Sequence, residues 1–151
     1  MDDYGAWRRF ISTTLEKARD FQVVREVRDG VEAVQNAEQL QPDLILLDIG
    51  LPTLNGLEAA RRIREVSPNS KILFVSENRS IDIVEAALNT GAGGYVLKSD
   101  AWSDLLPGIR SVLEGKRFIS ASLAGQFLVA VLSTAHAAHL LWILTLIAGM
   151  H

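Results

Sequence analysis

A short, fully apolar segment, Leu44–Leu47, ends abruptly at the carboxylate of Asp48. Continuous apolar runs of this length are typical of strands that are buried on both faces of a parallel sheet. Open parallel sheets bind their ligands at the carboxyl ends of the strands. Asp48 therefore occupies a position where a reactive group is expected, and Gly50, Pro52 and Gly56 predict a loop behind it.

Helix-like and strand-like segments alternate from the N-terminus to about residue 115, which predicts an α/β fold with a parallel sheet covered by helices on both faces. Strands are predicted at 21–27, 44–47, 71–75 and 95–97. Helices are predicted around Trp7 to Ala18 and at 29–40, 55–67, 81–90 and 101–114. Trp7 falls at a helical core spacing, which predicts a packing role.

Charge and cysteine content exclude several classes of function. The chain has 15 Lys and Arg against 18 Asp and Glu, a net charge of -3, and no long basic run, so direct nucleic-acid binding is not expected. The absence of cysteine excludes disulfides, cysteine-ligated zinc and thiol catalysis. The acidic start and the pair Arg8 and Arg9 do not fit a signal peptide, so we expect a cytoplasmic protein.

Polar residues stand at the ends of three predicted elements and at the N-terminus: the acid pair Asp2 and Asp3, then Asp48, Ser76 and Lys98. If the three carboxylates converge, they repel one another, because like charges about 4 Å apart cost about 4 kcal/mol at an effective dielectric constant of roughly 20. Such a cluster requires a cation.

In these motifs the chain resembles the receiver domain of bacterial response regulators, particularly the NarL/FixJ-like branch. The resemblance covers about Asp2 to Leu123 and rests on the acid pair, PDLILLDIGLPTLNG, ILFVS and GAGGYVLKSD. It implies a flavodoxin-like, doubly wound parallel sheet of strand order 2-1-3-4-5. It also implies a receiver domain over 1–123, followed by a hydrophobic, helical extension over 124–151.

The resemblance further implies a phosphorylation-dependent switch. Asp48 would accept a phosphoryl group from a phosphohistidine of a sensor histidine kinase. Mg²⁺ would be held by Asp2, Asp3, Asp48 and the backbone carbonyl of Gly50. Lys98 would pair with Asp48 and then with a phosphoryl oxygen.

Other positions of the motif would transmit and time the signal. The Ser76 hydroxyl would move toward the phosphoryl group and let Tyr95 turn inward, while Gly50 and Asn78 would tune the dephosphorylation rate. No enzyme activity beyond slow self-dephosphorylation is expected. Phosphatases of the haloacid-dehalogenase type place a second acid two residues after the nucleophile, where this chain has Gly50.

The two ends of the chain depart from the family pattern. Only Met1 precedes the acid pair, so we expect the first strand to be absent or replaced. Either the start is truncated, or 127–132 supplies the strand. A degenerate receiver that serves as a constitutive interaction or membrane-tethered scaffold is the alternative to the switch.

The tail is the other departure, because 127–150 contains no Asp, Glu, Lys or Arg. It could anchor the protein to the inner face of the membrane, pack as a dimerisation helix, or result from truncation or a frame change. A homodimer could form through this extension or through the face of the fifth helix. Residues 116–151 are too few and too apolar for the helix-turn-helix domain of the family, so DNA binding is not carried over.

Overall fold

The structure, a computed structural model, describes residues 3–125, with side chains from Gly5 onward. Five α-helices and four strands follow one another along these residues: α1 Asp3–Lys17, α2 Gly30–Leu40, β1 Leu44–Leu47, α3 Gly56–Val66, β2 Lys71–Ser76, α4 Ile81–Asn89, β3 Gly94–Leu97, α5 Ala101–Leu113 and β4 Phe118–Ile119. Residues 121–125 are also helical. A 3₁₀ turn, Lys98–Asp100, joins β3 to α5.

The sheet contains four parallel strands in the order β1-β2-β3-β4. Leu47 is paired with Phe74, and Ser76 is paired with Leu97. The α/β class with a parallel sheet is thereby confirmed. The strands β1, β2 and β3 lie side by side and correspond to strands 3, 4 and 5 of the predicted order 2-1-3-4-5.

Side chains alternate between the two faces of the sheet and feed two apolar clusters. Ile72 and Phe74 of β2 join the first cluster with residues from α2, α3 and α4. Leu73 and Val75 join the second cluster with residues from α5 and with Leu15 of α1. Since both faces of β2 are buried, its central residues Ile72–Val75 are continuously apolar rather than alternating.

Local capping sets where two of the helices begin. Asp29 Oδ1 accepts a hydrogen bond from the Glu32 N–H at 2.8 Å, and Asn55 Oδ1 accepts one from the Glu58 N–H at 3.0 Å. These bonds satisfy N–H groups that have no partner within the first turn. Ser80, in contrast, precedes α4 without a side-chain capping bond.

The strand predicted at 21–27 is wrong, because these residues carry no strand structure. Val23 and Val24, whose β-branched side chains favoured the prediction, are 43% and 56% exposed. A strand requires a neighbour for its backbone hydrogen bonds, and within residues 3–125 the expected neighbour, the first strand, does not occur. The segment is instead attached to α1, since Glu26 accepts bonds from Arg8 at 2.6 Å and Ser12 at 2.7 Å.

The short strand β4 was not predicted. It pairs with β3 through Gly94 with Phe118 and Tyr95 with Ile119. A Cβ at Gly94 would collide with the Phe118 carbonyl oxygen, so this glycine allows the two strands to approach. Two residues are too few to produce a periodic pattern.

Several predictions concern parts of the chain outside residues 3–125. These are the metal-binding role of Asp2, the replacement strand at 127–132 and the membrane segment at 127–150. Among the helices that the structure does describe, none is both long and apolar enough to cross a bilayer.

Candidate functional site

Three predicted site residues lie at the carboxyl-terminal edge of the sheet. Asp48 follows β1, Ser76 ends β2 and Lys98 follows β3. Because the three strands are parallel and adjacent, their last residues meet at one edge. The register of the sheet therefore brings together side chains that are up to 50 positions apart in the sequence.

Asp48 and Lys98 form an ion pair at the centre of this edge. Lys98 Nζ lies 2.7 Å from Asp48 Oδ2, and the two side chains are 17% and 31% exposed. The second carboxylate oxygen, Oδ1, accepts a longer bond of 3.3 Å from the Gly50 N–H. Charge-assisted bonds of this length are stronger than neutral ones, so the carboxylate is held in place while one of its oxygens is only weakly engaged.

Gly56 positions the backbone of Asp48, a role that the sequence did not reveal. The Gly56 N–H donates to the Ile49 carbonyl at 2.8 Å. A Cβ on Gly56 would collide with the Asp48 carbonyl oxygen. The first turn of α3 therefore packs directly against the residue that carries the carboxylate. In the sequence, the Asn55–Gly56 pair is the feature that could have indicated this contact.

A second set of contacts connects Ser76 to Tyr95 through Asn78. The Asn78 N–H donates to Ser76 Oγ at 3.1 Å, and the Tyr95 hydroxyl donates to the Asn78 carbonyl at 2.7 Å. Tyr95 is fully buried, with its ring 6.2 Å from that of Phe74. The side chain of Tyr95 thus points inward, and one peptide segment joins it to the Ser76 hydroxyl.

The environment of Tyr95 shifts its acidity. Burial raises the pKa of the Tyr95 hydroxyl, a hydrogen bond with Ser76 acts in the opposite direction, and the negative charge of Asp48 raises it further. The phenol consequently stays protonated and able to donate to Asn78 at physiological pH.

The acid pair is only partly within the described structure. Asp2 lies outside the described residues, and Asp3 is the first residue of α1, its side chain not being described. Within the described part of the chain, no three His, Asp or Glu residues cluster to hold a metal ion. Asp48 does suit Mg²⁺, which takes one or two carboxylates and retains waters, because it is 31% exposed and its Oδ1 has one weak bond.

One contact of Lys98 was not predicted. Its Nζ also lies over the indole of Trp7, 5.0 Å from the ring centroid. Trp7 belongs to α1 and packs against the second apolar cluster, as its spacing predicted. No local pattern indicates the contact with Lys98, because the two residues belong to elements that are distant in sequence.

Known proteins resemble the chain in both sequence and fold. The family described as the response regulator receiver domain matches residues 1–110. The nitrate/nitrite response regulator protein NarL of Escherichia coli K12 is 36% identical over 123 residues, which are 82% of this chain and 57% of that protein. The transcriptional activator protein ExaE of Pseudomonas putida is 35% identical over 126 residues, or 83% of this chain and 59% of that protein.

Solved structures agree. The receiver domain of the putative response regulator NarL from Mycobacterium tuberculosis superimposes with a TM-score of 0.71 at 27% identity, covering 76% of this chain and 93% of that chain. A LuxR-family response regulator from Aurantimonas has a TM-score of 0.70 at 31% identity, covering 73% and 79%.

The matched region spans less than two thirds of the length of NarL and ExaE. Receiver domains act as phosphorylation-dependent switches in two-component signalling and interact with histidine kinases. The family match covers more than half of this chain, and the parallel sheet with its strand-end residues agrees with it. The chain therefore belongs to the response regulator receiver-domain family.

Proposed function

We propose that Asp48 accepts a phosphoryl group from a phosphohistidine of a sensor histidine kinase and that this switches the domain between two states. The observation that carries the proposal is the ion pair between Lys98 Nζ and Asp48 Oδ2 at 2.7 Å, on the open edge of the sheet. A nucleophilic carboxylate needs a cation nearby, because the group that it attacks is itself negatively charged.

The transfer forms one bond to phosphorus and breaks another. A carboxylate oxygen of Asp48 attacks phosphorus, the bond from phosphorus to the kinase histidine breaks, and the imidazole leaves as the acyl phosphate forms. Lys98 offsets the charge of the transferring group, and the Gly50 N–H, 3.3 Å from Oδ1, is a second donor beside it. In the proposed role Asp48 is itself the acceptor of the phosphoryl group, so the chain acts as a switch rather than as an enzyme.

Magnesium belongs to this proposal as a cofactor. Receiver domains generally bind Mg²⁺ at their acidic pocket, and Asp48, the Gly50 carbonyl, Asp2 and Asp3 are the residues that would hold it here. When bound, the ion neutralises phosphoryl charge and orients the group for in-line transfer. Lys98 Nζ, 2.7 Å from Asp48 Oδ2, provides further positive charge at this site.

The connection from Ser76 to Tyr95 supports the second half of the proposal, the response to phosphorylation. A phosphoryl group adds about -1.5 to -2 charge and three strong acceptors, so it attracts the Ser76 hydroxyl. Ser76 Oγ accepts the Asn78 N–H, and the Asn78 carbonyl accepts the Tyr95 hydroxyl. Movement of Ser76 therefore alters the segment that holds Tyr95, and Asn78, next to the site, is suited to tune dephosphorylation.

The proposed partners are a sensor histidine kinase and a second copy of this chain. The phosphoryl donor is a sensor histidine kinase in the cytoplasm, and the face of α5 is the surface proposed for a homodimer. One solved relative, RcsB, is described as two dimers bound to two parallel DNAs, at 25% identity and a TM-score of 0.75. For this chain no direct nucleic-acid contact is proposed, because its net charge is -3 and no basic run occurs.

A degenerate receiver that acts as a constitutive scaffold is the second candidate. One observation favours it: residues 21–27, where the receiver pattern predicts a strand, carry no strand structure. If Asp2 and Asp3 were not held close to Asp48, metal binding and phosphoryl transfer would be weak. In that case the apolar and helical surfaces would act without phosphorylation.

Incubation with Mg²⁺ and acetyl phosphate, followed by intact-mass measurement, separates the two candidates. The switch proposal requires the gain of one phosphoryl mass that is lost when EDTA removes the metal or when Asp48→Asn removes the nucleophile. Asp43→Asn is the matched control, since Asp43 is exposed at the opposite end of β1 and should leave the gain unchanged. An unmodified mass, or a gain that survives Asp48→Asn, would favour the scaffold.

A further inference from the structure

Lys98 has two attractive neighbours rather than one. Its Nζ lies 2.7 Å from Asp48 Oδ2 and 5.0 Å from the centroid of the Trp7 ring. The lysine side chain is 17% exposed, so little of it can be solvated. A cation over an indole face is attracted by the ring quadrupole, more strongly where water is excluded.

Core packing alone does not account for an aromatic ring at this position. Trp7 stacks on Phe10 of the same helix, with centroids 5.5 Å apart, and joins the second apolar cluster. An aliphatic residue could also pack against this cluster, although it would bury less apolar surface than the indole. It would offer no face to the ammonium group of Lys98.

The geometry points to Trp7 as a positioning residue for Lys98, an inference that rests on the proposed phosphoryl acceptance at Asp48. The indole limits the positions of the flexible lysine side chain to those beside the carboxylate. When the phosphoryl group arrives, the ammonium is already close to the position where negative charge develops. Trp7 touches neither the nucleophile nor the phosphoryl group, so it acts only through Lys98.

Replacing the ring tests this role. Trp7→Leu keeps an apolar side chain and removes the aromatic face, so phosphoryl acceptance from acetyl phosphate should slow about three- to tenfold. Trp7→Phe retains a weaker face and should restore part of the rate. Phe10→Leu is the matched control, because it removes an aromatic ring from the same helix without removing the indole from Lys98; its rate should stay close to that of the wild type.

A double-mutant cycle distinguishes positioning from general loss of stability. In the Lys98→Met background the Trp7→Leu substitution should cause no further slowing, because its effect passes through the lysine. Equal slowing in both backgrounds would overturn the inference. NMR supplies a readout that packing would not change: the Lys98 ε-methylene resonance should carry a ring-current shift that disappears in Trp7→Leu and persists in Phe10→Leu.

The outcomes also separate this inference from the proposed function. If the wild type gains the phosphoryl group at Asp48 but the cycle shows no coupling between Trp7 and Lys98, the switch stands and the positioning role is rejected. If the wild type gains no phosphoryl group, both are rejected together.

Discussion

Lys98 Nζ and Asp48 Oδ2 are 2.7 Å apart, although the two residues follow different strands with β2 between them. The pair therefore depends on the register of three parallel strands and not on local sequence. The Lys98 and Asp48 side chains are only 17% and 31% exposed. Because they are partly shielded from water, their attraction is stronger than that of a fully exposed ion pair. Changes at either residue should affect phosphoryl transfer more than folding.

Lys98→Met should slow phosphoryl acceptance without abolishing it. The substitution keeps the apolar stem and removes the charge, and bonds to charged groups contribute about 1.5–3 kcal/mol, which corresponds to roughly a tenfold or larger decrease in rate. The measurement is the time course of mass gain with acetyl phosphate and Mg²⁺.

Lys71→Met provides the comparison for that experiment. Lys71 is exposed at the first position of β2, at the opposite edge of the sheet from Asp48. It should react at the wild-type rate. Equal slowing in both variants would indicate a general effect of charge rather than a specific role of Lys98.

Gly56→Ala should destabilise the domain and displace Asp48. The added Cβ would collide with the Asp48 carbonyl oxygen, and overpacking of this kind costs about 1–3 kcal/mol. Urea unfolding should show the lower free energy. Gly50→Ala, in the loop that precedes α3, is the control: its added Cβ meets nothing within 4 Å, so stability should change by less than about 0.5 kcal/mol. Similar losses in both variants would argue against the contact.

Tyr95→Phe should remove a pH-dependent part of the stability. Burial raises the pKa of Tyr95, so the folded protein retains the phenolic proton at pH values where the unfolded chain loses it. The free energy of unfolding should therefore fall as the pH rises from about 10 through the raised pKa, with the contribution fully present below about 10.

In Tyr95→Phe this alkaline fall should be smaller than in the wild type, and at neutral pH the variant should lose about 1 kcal/mol with its bond to the Asn78 carbonyl. Urea titrations of both proteins between neutral and strongly alkaline pH provide the comparison. Parallel curves would show that Tyr95 is not the titrating group.

Ser76→Ala should separate phosphorylation from its response. Asp48 and Lys98 are unchanged, so phosphoryl acceptance should persist. The Asn78 N–H loses its acceptor, Ser76 Oγ, so phosphorylation should no longer shift the NMR resonances of the Tyr95 ring. A ring shift equal to that of the phosphorylated wild type would show that the signal reaches Tyr95 by another route.

The sequence predicted those parts of the fold and site that depend on regular patterns. Apolar runs ending at Asp48, Ser76 and Lys98 indicated three parallel strands, and parallel strands of adjacent position bring their ends together. The caps at Asp29 and Asn55 are also readable from the sequence, because a capping bond involves residues only three apart.

Features that depend on contacts between distant elements were not predicted. Val23 and Val24 favour a strand locally, but a strand forms only where another strand offers hydrogen bonds. The strand β4 has two residues and no period. The contact between Trp7 and Lys98 joins α1 to the residue after β3, and helical spacing alone could not show which side chain would lie over the indole.

Chemical mapping of the phosphorylated residue identifies the phosphoacceptor. Borohydride reduces an aspartyl phosphate to homoserine, so the protein treated with acetyl phosphate and Mg²⁺ should yield, after proteolysis and mass spectrometry, a peptide with homoserine at position 48. The same treatment without a phosphodonor should leave Asp48 intact. Homoserine at any other aspartate, with position 48 unmodified, would show that Asp48 is not the phosphoacceptor.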